Sequence, residues 1–196
     1  MRTAAQSPVV RGGGSGFPAS TPGGESGDYT AGMNTDAATL FLDYSDRKMG
    51  EMAKDIKTCL GKLNQEQVWR RSGPYENAIG NIVLHLCGNI RQRMMSGIGG
   101  APDVRVRDAE FSATGGLAPG ELAAQLESTV AEARKIVADL PHARLTERIR
   151  TPVGELAILE AVYQVVGHLQ QHEGQIVVLT KQILGQDLDL TTPRPR

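Results

Sequence analysis

Between Glu155 and Leu184 apolar residues return every three or four positions: Ile158, Val162, Val165, Leu169, Ile176, Leu179 and Ile183. That is the period of an α-helix, not of a strand, where apolar side chains alternate. A helix of this length with one apolar stripe must bury that stripe against other helices. Gly185 supplies the stop, since glycine adopts the left-handed cap at no steric cost.

Three further stretches repeat the pattern. The first runs from about Thr35 to Leu63, with Phe41, Tyr44, Met52, Ile56, Cys59 or Leu60, and Leu63 on one face; Thr35 is the expected cap and Asp36 suits the first turn. The second runs from about Ala78 to Ile98 behind an Asn77 cap, with Ile79, Val83, Leu86, Ile90 and Met94 as its stripe. The third begins at "APGE", with Pro119 in its first turn, carries Leu122, Leu126, Val130, Ala133, Val137 and Leu140, and ends at Pro141. Val68 and Trp69, in the break after the first helix, are expected to cover one end of the core. No strand is expected: "ERIRTPV" alternates weakly but has no partner. Four amphipathic helices predict an all-α fold, a four-helix bundle, with crossover connections left open by the two medium-length links after helices two and three.

The rest of the chain narrows the function classes. Of the 196 residues, 1–32 are rich in Gly, Ser and Pro and read as a disordered N-terminal tail; the bundle occupies 33–190, and 191–196 is expected to fray. A net charge of −1 gives no electrostatic case for nucleic acid, so none is expected as a partner. No run of 18 or so apolar residues exists to cross a membrane, and no signal peptide is evident. Cys59 and Cys87 are too few and too far apart for a thiolate zinc site, and fit buried free thiols in the cytoplasm.

Two of the four histidines, His168 and His172, stand four apart in "GHLQQHEGQ" and so share a helical face, His172 on the apolar stripe and His168 at its edge. His85 lies midway along the second helix, in a polar ridge with Asn81, Asn89 and Gln92. Burying such groups unpaired costs about 1–3 kcal/mol each, and a metal ion would compensate them. Three imidazoles from facing helices make a His₃ set with open coordination positions, as catalytic zinc sites have. Asn81, Asn89, Gln164 and Gln175 are candidates to orient the imidazoles or hold a water. His142, beside Pro141 in a loop, is given no such part.

"NAIGNIVLHLCGNIRQRMMSGIGG", "DAEFSATGGL" and "AVYQVVGHLQQHEGQIVVLTKQILGQDL", in this order, resemble the DinB/YfiT-like superfamily, most closely an uncharacterised bacterial branch. The resemblance covers about Asp36 to Leu190. It implies a four-helix bundle of up-up-down-down topology, often a homodimer. It also implies a divalent metal, often zinc or nickel, held by a histidine of the second helix and an HxxxH pair of the last, here His85, His168 and His172. Characterised members of that superfamily include S-transferases using low-molecular-weight thiols such as bacillithiol, and a mycothiol-dependent isomerase.

Three functions compete. A metal could lower the pKa of a small thiol for S-transfer to an electrophile; the 105–117 loop would wall the pocket, and Arg91, Arg93, Arg105 or Arg107 could hold a carboxylate of the thiol, although each singly also reads as solvated surface. A hydrolase using metal-bound hydroxide needs the same ligands, but no glutamate stands clearly beside them as a base; Glu173 adjoins His172 and points about 100° away around the helix. A non-catalytic metal-binding bundle is the third. No Ser–His or Cys–His pair emerges, and Cys87 is read as core packing.

Overall fold

The computed structural model describes residues 36–151 and 154–190. The tail expected at 1–32, the Thr35 cap and the frayed 191–196 lie outside the described residues. Four long helices carry the fold: α1 (Ala37–Leu60), α3 (Ile79–Ile90, continuing as a π-helical stretch over Arg91–Ile98), α5 (Pro119–Ala138) and α6 (Ile158–Leu184). Two short helices, α2 (Gln65–Trp69) and α4 (Arg107–Ser112), stand in the connections, and a hairpin of β1 (Arg148–Thr151) and β2 (Gly154–Ala157) precedes α6. The four apolar stripes meet in one core that includes Met49, Ile56, Leu86, Ile90, Leu126, Leu169 and Ile176. The fold is all-α in its layers, as expected. No helix among the described residues is long and apolar enough to cross a membrane.

Several boundaries differ from the sequence expectation, each for a local reason. Asp36 is the cap of α1, because its carboxylate accepts the Thr39 N–H at 2.9 Å. α3 is not capped by Asn77. Its N-cap is Ala78, whose N–H is taken instead by Asn81 Oδ1 at 3.1 Å. "ERIRTPV" does find a partner: Arg148–Thr151 pairs antiparallel with Gly154–Ala157, the stretch read as the first turn of the last helix. Gly154, at φ 120°, adopts a backbone conformation open to glycine.

The helix directions also differ. Lys57 pairs with Glu127 and Asp46 with Arg134, so α1 and α5 are antiparallel. Arg93 meets Gln164 while His85 meets His168, so α3 and α6 are antiparallel. Cys87 faces Thr129 and Arg91 faces Glu132, so α3 and α5 are parallel. The order is therefore up-down-down-up rather than up-up-down-down. The reason is the connection between α3 and α5. It climbs back along the whole of α3 before α5 begins. Ser96 bonds Pro102, Gln92 bonds Asp103, His85 bonds Glu110, and Asn81 bonds Ala113. At the far end Trp69 Nε1 donates to Leu117 O at 2.9 Å. Val68 is fully buried and the Trp69 ring lies flush on Gly80, so closely that a Cβ there would be 2.8 Å from ring carbons. The segment read as a loose pocket wall is thus packed onto α3, with α4 beside His85.

Candidate metal centre

His85, on α3, is buried, and His168 and His172, on successive turns of α6, are half-buried. His172 is therefore not a core residue; α6 turns it toward the surface of the α3–α6 seam. The three rings stand close to perpendicular, with centroids 5.0, 5.2 and 4.4 Å apart. One nitrogen from each falls within 4.8 Å of the others. Two nitrogens, each about 2.1 Å from one ion, can be at most about 4.2 Å apart. At the 4.8 Å limit a pair of nitrogens would need to approach by about 0.6 Å to share one ion. Among the described residues no fourth histidine, cysteine or carboxylate joins it.

The hydrogen-bond partners of the rings bear on which nitrogens are free. His85 Nδ1 lies 3.0 Å from Glu110 Oε2, an acceptor, and 3.1 Å from Arg105 Nη2, a donor; in the tautomer with its hydrogen on Nδ1, donated to the carboxylate, Nε2 keeps its lone pair. His172 Nδ1 lies 2.7 Å from the Gln175 carbonyl oxygen, which likewise puts its hydrogen on Nδ1. His168 Nε2 and His85 Nε2 face each other at 2.9 Å. In the metal-free protein His168 supplies the hydrogen of that bond. Nothing among the described residues pins its other nitrogen, so it is free to exchange tautomer and offer a second lone pair. The donor set fits a divalent ion.

Glu110 is the residue that sequence reasoning missed. Its carboxylate is buried and held bidentately by Arg105, Nε to Oε1 at 2.7 Å and Nη2 to Oε2 at 2.8 Å, with both side chains under 10 % exposed. Arg105 is anchored in turn on Gln92 Oε1 at 2.9 Å. Gly88 leaves the room: a Cβ there would overlap the Glu110 carboxylate. Such a carboxylate–imidazole pair orients a ligand and raises its basicity.

The four expected supporting residues divide. Gln175 bonds His172. Asn81 touches no imidazole; it donates to the carbonyls of Glu110 and Ala113 at 2.9 and 2.7 Å, and so holds the segment that carries Glu110. Gln164 accepts from Arg93. Asn89 Oδ1 is buried with no partner among the described residues. His142 stands apart, 3.4 Å from Asp36. Cys87 packs in the core as read, and burial pushes its thiol up to about 11. Glu173 lies toward Asp55 on α1, and burial together with Asp55 raises its pKa. A half-open pocket of about 370 Å³ lies behind Glu110, walled by α3, α5 and the 101–110 segment, and no histidine lines it.

Burial, then the neighbouring His172 and His85, hold the His168 imidazole down at about 4 instead of 6.5. Burial lowers His85 too, against the pull of Glu110. An unfolded chain protonates His168 near 6.5 and the folded one only near 4. Between those values the unfolded state binds more protons, so metal-free protein loses stability as pH falls. Urea titrations of the metal-free protein at pH 7 and pH 5 should show a lower midpoint at pH 5, with a smaller drop in H168N. A midpoint that rises on acidification would contradict the burial of neutral imidazoles.

The model of a family described as "Protein of unknown function (DUF1572)" matches residues 36–196. The chain belongs to the DUF1572 family. Crystal structures of two proteins share the fold of this DUF1572 chain. One is a conserved protein from Enterococcus faecalis, 11% identical, with a TM-score of 0.60 over 74% of this chain and 97% of that one. The other is a DinB-like protein from Bacillus cereus, 16% identical, with a TM-score of 0.57 over 72% of this chain and 89% of that one. At these identities the likeness shows the fold, and the DUF1572 chain is a DinB-like helical bundle. No curated protein matches the sequence.

Proposed function

We propose that this protein binds one divalent metal ion, zinc or nickel, through His85, His168 and His172, and that it is an enzyme transferring a low-molecular-weight thiol to an electrophile. The observation that carries the reading is the convergence of three imidazoles, two of them with Nδ1 beside a hydrogen-bond acceptor, at a half-buried seam with no fourth protein ligand among the described residues. When bound, the ion supplies the positive charge that lowers a thiol's pKa.

The protein's own groups do the rest. Glu110 and Gln175 hold two of the rings in the tautomer and orientation that present Nε2. Arg105 holds Glu110 in place through two bonds. Phe111, tilted at 4.8 Å from the His85 ring, shields that side from water. The transferase reading is preferred to hydrolysis because both oxygens of Glu110 are taken by Arg105 and His85, leaving no free carboxylate base beside the rings among the described residues. A thiol requires none beyond the metal. The open position favours catalysis over a purely structural ion, whose ligand sets are closed.

The two buried free cysteines support a cytoplasmic setting. Leu40 and Tyr44 on α1 and Tyr163 on α6 are exposed apolar side chains that a homodimer seam would use; sedimentation that shows only monomer at micromolar concentration rejects it. The functional test is a screen of zinc- and nickel-loaded protein with several small thiols against a general electrophile such as a chlorodinitrobenzene. Metal-dependent turnover above the metal-free protein is expected. Hydrolysis of activated esters with every thiol inactive would replace the transferase by a hydrolase.

A further inference from the structure

Of the four arginines singled out in the sequence, three are committed. Arg105 is locked onto Glu110, Arg107 lies over the Phe111 ring at 4.8 Å, and Arg91 reaches toward Glu132 on the α5 side at 3.9 Å. Arg93 differs. Its side chain is half-buried in the α3–α6 seam and meets no carboxylate among the described residues. Among the described residues its one hydrogen bond, from Nη1, goes to Gln164 Oε1 at 2.7 Å, and the other donors of the fork have no partner there. Burial and the nearby Arg105 both oppose its charge. A desolvated cation without a counter-ion is a cost that folding alone does not explain.

Its position supplies the explanation. Gln164 precedes His168 by four residues on α6, which is one helical turn, about 5.4 Å. The Arg93 charge is near enough to act on the His168 imidazole. On α3, His85 and Asn89 stand four residues apart, and Arg93 follows in the π-helical stretch. The middle one, Asn89, has the buried Oδ1 that no described residue pairs. Arg93, through Gln164, and His85, through His168, both meet α6 along the seam.

We propose that Arg93 is the anion-binding residue of this site, receiving the carboxylate of a small ligand whose other end lies at His85, His168 and His172. The planar fork takes a carboxylate through two parallel bonds. The ligand class is thus a small acid with a metal-seeking head about one helical turn away. For the head group alone, the inference rests on the thiol reading above.

The test is calorimetry on the zinc-loaded full chain with three probes: 3-mercaptopropionate, its neutral counterpart 3-mercapto-1-propanol, and succinate, which has no thiol. R93Q should weaken 3-mercaptopropionate by about 10-fold or more and leave 3-mercapto-1-propanol within about twofold. R93K, which keeps the charge and loses the fork, should fall between. Equal weakening of both thiols in R93Q, or of neither, overturns the assignment. If neither thiol binds but succinate binds the wild type and not R93Q, the thiol reading fails and the anion site stands. If both thiols bind wild type and R93Q alike, the reverse holds. If no probe binds the wild type, both fail.

Discussion

Glu110→Ala should lower stability by about 3–5 kcal/mol, among the largest effects of any single change in this protein, because it leaves the buried Arg105 guanidinium without its carboxylate. His85 loses its acceptor in the same step. The milder E110Q keeps the volume and removes the charge; it should weaken zinc binding by about 10–100-fold, the usual effect of losing a residue that orients a ligand. Gly88→Ala reaches the same carboxylate from behind, since the new methyl group would overlap it. Urea unfolding checks the first effect and competitive zinc titration the second. E110A within about 1 kcal/mol of wild type would mean that the Arg105–Glu110–His85 chain is surface decoration.

Removing a ligand should cost more than removing its support. H85A, H168A and H172A are each expected to lose zinc affinity by well over the roughly 100-fold that marks the upper range for supporting residues. H172A is the cleanest of the three. Its ring is half-buried and bonds only Gln175, three residues along the same helix, so its metal-free stability should stay within about 1 kcal/mol of wild type. A large loss of affinity with the fold intact separates a metal ligand from a packing residue. Unchanged zinc affinity in H172A would remove it from the centre.

The histidines were legible because a helix converts sequence spacing into geometry: four residues apart means one face, and a polar ridge on a packed helix needs partners. Asn81 and Asn89 stand on that ridge, and the sequence offered Asn81 a ring or a water to hold. Asn81 holds the crossover backbone rather than a ring. Glu110 escaped because it lies 25 residues from His85, in a stretch with no helical period to place it. Only the path of that stretch back along α3 brings the two together. The same path reverses the expected helix order. Apolar periodicity carries no direction, and the one available signal was the length of the link from Gly99 to Ala118, enough to travel the length of α3. The hairpin before α6 was missed for a related reason. Its strands are four residues each, too short for alternation to stand out, and only Gly154 marked the turn.

X-ray absorption of the protein loaded with one equivalent of zinc addresses the central claim most directly. The predicted spectrum shows three imidazole nitrogens at about 2.0–2.1 Å with one or more further light atoms and no sulfur from the protein. Fewer than three imidazoles, or a sulfur shell near 2.3 Å in the absence of added thiol, would place the metal elsewhere and contradict the centre built by His85, His168 and His172.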